Sequence, residues 1–173
     1  MEENEEKIIK NKLESILEKP GIDENDIKNA LSVVNEGLEK KVSKKFRDKL
    51  LKRNYMLQAL AILMKHENMK KLECEVCHEP LTLKAYTPLE KISEGKFVVI
   101  DHKTDGDGEH SFSDTLWREI IKSSEEDLDK YQILCDSCNK LKGSILVKAN
   151  SFKNSNKSLS DKLLEIYKEM GGV

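Results

Sequence analysis

The segment YQILCDSCNKLKG at residues 131–143 and the segment LECEVCHEPL at residues 72–81 together hold all four cysteines of the chain. The cysteines form two Cys-x-x-Cys pairs, Cys74 with Cys77 and Cys135 with Cys138. Each pair can direct two thiolates at one metal ion from a tight turn, and two such pairs complete the tetrahedral sulfur shell that Zn²⁺ prefers. The spacing therefore predicts a structural zinc ion that ties two distant parts of the chain together.

Two other uses of paired cysteines agree less well with this sequence. Disulfides belong to oxidising compartments, and the charged N-terminus MEENEEKIIK does not resemble a secretory signal. A thioredoxin-like redox site needs one Cys-x-x-Cys pair and not two. His78 follows a cysteine directly and has a zinc-ligating side chain, but the four cysteines already fill the shell. Because a structural zinc contributes folding energy directly, we expect the segment from about Leu72 to Gly143 not to fold without it.

The chain is short, and its charges are unevenly distributed. Its 173 residues have room for one compact domain, or for a small domain with a helical appendage. The net charge of -2 gives no overall support for nucleic-acid binding, but lysine and arginine are concentrated in residues 40–53 and 140–157. The longest apolar run, Met56 to Met64, is too short for a membrane span. We therefore expect a cytoplasmic protein without membrane contact.

The first 70 residues carry apolar positions at helical spacing, in three groups separated by helix-breaking residues. The second group follows Asp23, which is suited to an N-cap, and the third begins near Ser43. Stripes of leucine and methionine at this spacing are more typical of a protein core than of a cofactor site. A further amphipathic helix is predicted near the C-terminus. We expect it to pack on the N-terminal helices or on a second subunit, which would give a homodimer.

Between the two cysteine pairs, the sequence GKFVVID at residues 95–101 predicts a short strand, because it is rich in β-branched and aromatic residues. The strand ends in adjacent Asp101 and His102, and a glycine-containing loop follows. After the second cysteine pair, the sequence predicts a helix with Asn139 in its first turn. A zinc ion held by both pairs would fix this helix against the strand.

The sequence IDHKTDGDGEH at residues 100–110, followed by YQILCDSCNKLKG, resembles the HNH endonuclease family. It is similar in particular to the zinc-stapled branch that includes phage recombination endonucleases of the endonuclease VII type. The likeness covers about Cys74 to Gly143 and depends on the combination of both cysteine pairs, Asp-His at a strand end, and an asparagine directly after the last cysteine. It implies an α+β protein with a helical region at residues 1–70, a zinc-bound ββα-metal (HNH) nuclease domain at residues 71–150, and a polar linker with a C-terminal helix at residues 151–173.

The resemblance also implies a role for each matching residue in the divalent-metal-dependent hydrolysis of DNA phosphodiester bonds. His102 would be the general base that takes a proton from the attacking water. Asp101 and Asn139 would bind a divalent cation that polarises the scissile phosphate, and an asparagine oxygen, where many members have histidine, favours Mg²⁺ or Mn²⁺. His110 would orient His102 or contact phosphate, with a solvent-facing loop histidine as an equal alternative. The residues expected to contact nucleic acid are Lys140, Lys142 and Arg118.

Two other functions are compatible with the same residues. One is a non-catalytic zinc module that binds nucleic acid or protein, in which Asp101, His102 and Asn139 are structural. The presence of all three at the expected positions favours the nuclease, because a module without catalysis has little need of them. The other is an interaction protein whose N-terminal helices carry the function, and it would require an exposed apolar face on that region.

Overall fold

A computed structural model describes residues 2–83, 97–103 and 114–172 of the chain. Within these ranges the protein is α+β and mostly helical, with one two-stranded antiparallel sheet. The elements in chain order are α1 (Glu2–Leu17), α2 (Glu24–Glu39), α3 (Lys44–His66), β1 (Val98–His102), α4 (Asp114–Lys122), α5 (Glu125–Leu128), β2 (Tyr131–Cys135), α6 (Asp136–Phe152) and α7 (Lys157–Glu169). No helix in the described ranges has both the length and the apolar composition needed to cross a membrane.

The three N-terminal helices follow the predicted apolar spacing, and side-chain caps fix the starts of α2 and α3. The Asp23 carboxylate accepts a hydrogen bond from the Asp26 N–H, and the Asp26 carboxylate accepts one from the Asp23 N–H, so α2 begins with a capping box. The Ser43 hydroxyl accepts from the Phe46 N–H at the start of α3. The predicted N-cap at Asp23 and the predicted start of the third helix near Ser43 are therefore confirmed.

One cluster of buried apolar residues joins the N-terminal helices to the two cysteine segments. It extends from Ile9 in α1 to Cys135 at the end of β2. A backbone hydrogen bond ties the same two parts together, since the Leu72 N–H donates to the Ile22 carbonyl at 2.8 Å. The helical region therefore packs directly on the segment that carries the first cysteine pair.

The sheet consists of β1 and β2, with Val98 opposite Cys135 and His102 opposite Tyr131. β1 confirms the strand that was predicted before the second cysteine pair. The residue pattern alone did not predict β2, because every one of its residues is buried and its sequence lacks the alternation of a half-exposed strand; only the ββα resemblance implied a second strand. β2 supplies the partner that holds the end of β1 in place.

α6 begins at Asp136, directly after β2, and packs on the sheet and on α7. The C-terminal helix is confirmed as α7, and its main packing partner is α6 rather than the N-terminal helices. The alternative, packing on a second subunit, stays a prediction. The short connection between α6 and α7 makes the two helices neighbours in a helical hairpin. The Ser160 hydroxyl donates to the Ala149 carbonyl at 2.9 Å in the buried contact between them.

Candidate metal centre and the adjoining strand end

The four cysteines meet at one point, although they come from segments far apart in sequence. Their Sγ atoms all lie within 4.8 Å of one another, and the Sγ atoms of Cys77 and Cys135 are 3.9 Å apart. A tetrahedral centre with Zn–S bonds of ~2.3 Å has S···S edges of roughly 3.8 Å, so the donor set has the size that one zinc ion requires. All four cysteines are thiols and not disulfides. The predicted cysteine cluster is confirmed, and it is compatible with structural zinc.

The first cysteine pair lies in a tight turn held by backbone hydrogen bonds. The Cys74 N–H donates to the Glu79 carbonyl at 3.0 Å, and the His78 N–H donates to the Cys74 carbonyl at 2.8 Å. His78 adopts a φ of +55° at this turn, and its side chain is 74% exposed, 4.0 Å from Glu73. The backbone of the histidine therefore shapes the turn while its imidazole faces solvent.

Glu75 fixes the same turn to β2. Its N–H donates to the Ile133 carbonyl at 2.9 Å, and its carboxylate accepts from the Ile133 N–H at 2.5 Å. Burial raises the pKa of the Glu75 carboxyl group. Because Ile133 lies shortly before Cys135 in β2, these two bonds hold the first cysteine pair in register with the second.

Cys135 belongs to three structural features at once. It is the last residue of β2, the N-cap of α6 and a member of the cysteine cluster. Its Sγ accepts a hydrogen bond from the Cys138 N–H at 3.2 Å, which turns the chain so that both sulfurs lie in the cluster. The positive end of the α6 dipole also favours negative charge on these sulfurs. The start of α6 is therefore fixed at the cysteine cluster.

The acid–base properties of the thiols favour a bound cation. Burial opposes the ionisation of Cys77, but hydrogen bonds from the Glu79 amide and the neighbouring thiols outweigh it and lower the pKa of Cys77 to about 7. Burial raises the pKa of Cys135, and burial together with the neighbouring thiols raises the pKa of Cys138. One thiolate therefore forms readily, whereas further thiolates need a positive charge at the centre of the cluster.

Asp101 lies in β1 and is 7% exposed. Its Oδ2 accepts hydrogen bonds from Lys142 Nζ and from Gln132 Nε2, both at 2.7 Å. Gln132 lies directly opposite Asp101 on β2, and Lys142 reaches it from the second turn of α6. The carboxylate is thus neutralised by an ammonium group in the interior of the protein.

This pairing corrects the positions expected for two site residues. Lys142 is 3% exposed, so it lies in the interior and not on the surface, where a contact with phosphate requires it. A lysine is almost never fully buried unless it is paired, and Asp101 provides that partner. Asp101 in turn presents no open carboxylate, so its surroundings do not fit the expected Mg²⁺ or Mn²⁺ ion, which needs water or substrate among its ligands.

His102 and Asp101 point to opposite faces of the sheet, because side chains alternate along a strand. The imidazole of His102 lies 4.9 Å from the ring of Tyr131, measured between centroids. Asn139 lies in the first turn of α6, one turn before Lys142, and is half-buried. The structure therefore places Asn139 on the helix that reaches Asp101, and it places His102 on the opposite face of β1 from Asp101, as side-chain alternation requires.

The remaining predicted site residues have different surroundings. Lys140 is 80% exposed and lies 3.9 Å from Asp136. Arg118 is exposed on α4, with its guanidinium carbon 4.6 Å from the centre of the Tyr55 ring on α3. This cation–π contact helps to dock α4 on α3. His110 lies outside the described residues.

Sequence reasoning missed Gln132 and Gly171, two residues that form hydrogen bonds with the Asp101–Lys142 pair. Gln132 donates to Asp101, and the Gly171 carbonyl accepts a hydrogen bond from Lys142 Nζ at 3.2 Å. A glutamine inside the otherwise apolar segment YQILC was the one available signal. The sequence around Gly171 carried no such signal, because the contact of Gly171 with Lys142 depends on the packing of α7.

No protein-family model, curated protein or solved structure matches this chain. Its function must therefore be inferred from the residues and their geometry. The relevant geometry is the cysteine cluster, the antiparallel pair β1 and β2, and the helix that begins at the second cysteine pair.

Proposed function

We propose that this protein is an HNH-type endonuclease that hydrolyses phosphodiester bonds in DNA. The observation that carries the proposal is the order of the elements beside the cysteine cluster. β1 ends in Asp101 and His102, β2 runs back antiparallel to Cys135, and α6 begins at the next residue with Asn139 in its first turn. A strand, a second strand and a helix in this order, with these residue types, are what the family resemblance implies.

In this proposal the four cysteines hold a structural zinc ion. Four sulfur ligands leave no open position for water or substrate, so the ion fixes the fold and takes no part in the reaction. It would join the first cysteine turn to the end of β2 and the start of α6. The thiol form of the cysteines agrees with the reducing interior of the cell, where we place the protein.

His102 is the residue that we propose takes a proton from the attacking water. Imidazole is the side chain best suited to proton transfer near neutral pH. His102 is partly exposed, and its backbone is fixed by the pairing with Tyr131 and, at the next residue, by the Lys103 N–H, which donates to the Lys130 carbonyl at 2.7 Å. A fixed backbone at the end of β1 is suited to holding the base in one place.

The same resemblance implies Mg²⁺ or Mn²⁺ at Asp101 and Asn139, where the ion would stabilise the departing oxygen. The described arrangement does not fit that ion, because the Asp101 carboxylate is buried and paired with Lys142. The proposed metal-dependent activity therefore requires a rearrangement around Asp101.

Exposed basic side chains on α3 and α6 provide a surface for DNA. Lys140 is exposed at the start of α6, beside Asn139. The exposed basic residues of α3 are Lys44, Lys45, Arg47, Lys49, Lys52 and Lys65. Such side chains neutralise phosphates without reading sequence, so the binding that they provide should weaken as the salt concentration rises.

A non-catalytic zinc module is the second candidate, and one observation favours it. Asp101 and Lys142 form a buried ion pair, and His102 faces away from both on the other side of the sheet. Residues with a purely structural role would have these surroundings. In that case the protein would bind nucleic acid through its basic helices and leave it intact.

The test is the nicking of supercoiled plasmid and of a branched DNA junction by zinc-loaded protein, with Mg²⁺, with Mn²⁺ or without added divalent cation. We expect cation-dependent cleavage by the wild type and none by His102→Ala. His78→Asn is the matched control, because it removes an exposed imidazole while asparagine tolerates the positive φ of this turn, so the variant should cleave as the wild type does.

Zinc content and circular dichroism of each variant would establish that loss of activity is not loss of fold. DNA binding by all three proteins, with cleavage by none on either substrate, would reject the nuclease and support the second candidate. Equal cleavage by the wild type and His102→Ala would exclude His102 as the base.

A further inference from the structure

The helical hairpin of α6 and α7 carries large apolar side chains that stay accessible to solvent in the described part of the chain. Leu141 on α6 is 53% exposed, and on α7 Ile166 and Leu159 are 45% and 37% exposed. Further apolar residues of both helices are only half-buried. A group of this kind on two adjacent helices differs from the single exposed apolar residues that are normal on a protein surface.

The contact between the two helices has a defined alignment. The Ser160 hydroxyl donates to the Ala149 carbonyl at 2.9 Å, and Lys142 Nζ donates to the Gly171 carbonyl at 3.2 Å. Residue numbers fall along α6 while they rise along α7, so the two helices are antiparallel. The midpoint of the contact lies near residue 145 on α6 and between residues 165 and 166 on α7.

The accessible apolar residues lie on one side of the hairpin. Lys142 and Tyr167 face each other across the contact, with Nζ 5.3 Å from the ring centre, and Leu141 and Ile166 directly precede them. One residue turns a side chain by about 100° around a helix axis, and in antiparallel helices the same turn leads to the same side. We call this side the hairpin face. Its apolar residues are Leu141, Ile145, Phe152, Leu159, Leu163 and Ile166.

Charged residues at the edge of the hairpin face match a second copy of the same face. Lys162 and Glu169 are both exposed on α7, on the side turned away from Tyr167 and α6. Along the helix axis, Lys162 lies about 5 Å before the midpoint of the contact, and Glu169 lies about 5 Å after it. Two copies of α7 that cross antiparallel at this midpoint would therefore bring each Lys162 to the partner's Glu169.

We propose that the hairpin face is the interface of a homodimer, in which two α6–α7 hairpins pack face to face as an antiparallel four-helix arrangement. Because the helices of one hairpin share the midpoint, a single two-fold axis places Ile145 and Ile166 opposite their own copies. A partner of another sequence could also cover the apolar residues, but the equal spacing of Lys162 and Glu169 about the midpoint favours a second copy. No residue of the proposed nuclease site belongs to the hairpin face, so the inference does not depend on the proposed function.

Sedimentation velocity of the full-length, zinc-loaded chain tests the dimer, with protein concentrations up to about 100 μM. We expect the wild type to dimerise and Ile166→Glu to raise the dissociation constant at least about tenfold, because a carboxylate would be buried at the centre of the interface. Val147→Glu is the matched control. Val147 is 69% exposed on the other side of α6, so this variant should dimerise as the wild type does.

Charge exchange at the edge tests the antiparallel pairing of α7. Lys162→Glu and Glu169→Lys should each weaken the dimer by roughly fivefold, because each places like charges opposite one another. The double variant should recover most of the wild-type affinity, since it exchanges the two charges and keeps the pairing. These exposed substitutions also test the interface without altering its apolar residues.

A wild type that stays monomeric at about 100 μM would overturn the proposal and leave the hairpin face to a different partner. So would a dimer that Val147→Glu disrupts and Ile166→Glu leaves intact. A double charge variant that dimerises no better than the two single variants would reject the antiparallel pairing. Zinc content and circular dichroism show whether each variant is folded, and none of these results requires DNA cleavage.

Discussion

The buried ion pair between Asp101 and Lys142 should contribute strongly to stability, and replacing Lys142 by Met tests this. The two charged atoms are 2.7 Å apart, and the side chains of lysine and aspartate are only 4% and 9% exposed. At an effective dielectric constant of about 20, the attraction is roughly 6 kcal/mol, most of which offsets the desolvation of the two groups. Removing one partner leaves a charge in the interior, which typically costs about 3–5 kcal/mol.

We expect Lys142→Met to lower the free energy of unfolding by about 3 kcal/mol, at the lower end of that range, because Gln132 still donates to Asp101. Adding Asp101→Asn removes the unpaired charge, so the double variant should recover about 2 kcal/mol or more. Urea unfolding of the zinc-loaded wild type, the two single variants and the double variant gives the four free energies of this double-mutant cycle. Lys140→Met is the control on the same helix, and it should have little effect because Lys140 forms only an exposed pair with Asp136.

Additive effects of the two substitutions would refute this reasoning. A loss of less than about 1 kcal/mol for Lys142→Met, similar to the loss for Lys140→Met, would show that the lysine is not buried against the carboxylate in solution. The measurement requires neither DNA nor added Mg²⁺ or Mn²⁺.

Two further predictions concern the cysteine cluster. Cys135→Ser should lose zinc and much of the helical signal of α6, because serine is a poor zinc ligand even though it can still cap the helix. Zinc analysis and circular dichroism measure these two losses. A stable variant with one zinc per chain would contradict the four-cysteine site. Zinc affinity should fall as the pH is lowered from 8 to 6, because the ion must displace protons from thiols, and the fall should steepen below the pKa of Cys77, about 7, where that thiol is protonated as well. Competition with a chromogenic chelator across this pH range measures the slope, and an affinity independent of pH would contradict thiolate ligation.

The elements that the sequence predicted well are those whose signal is local. The starts of α2 and α3 follow from Asp23 and Ser43, because a cap requires only the residue itself and the next turn of the helix. The cysteine cluster follows from spacing, since two Cys-x-x-Cys pairs have few other uses in a reducing compartment.

The features that the sequence did not predict depend on partners far along the chain. β2 is buried on both faces, so its residues show no alternation, and a buried strand of this kind cannot be distinguished from a buried helical segment by periodicity. Lys142 was placed on the surface because it lies beside Asn139 on the helix that the resemblance expects to meet phosphates, whereas its burial depends on Asp101, 41 residues earlier. The contact with Gly171 depends on the packing of α7, which its own sequence does not determine.

The position of Cys135 explains why the metal centre and the Asp101 pair should be coupled. Cys135 lies between Gln132 on β2 and Lys142 on α6, and these two residues are the donors that meet at Asp101. A helical rise of ~1.5 Å per residue places Lys142 roughly 10 Å along α6 from the cysteine. A tilt of α6 by about 10° at Cys135 would therefore move the lysine by nearly 2 Å, which is enough to break its hydrogen bond to the carboxylate. A zinc ion that fixes Cys135 and Cys138 would thus also hold Lys142 within reach of Asp101, so we expect the ion pair to be complete only in the zinc-loaded protein.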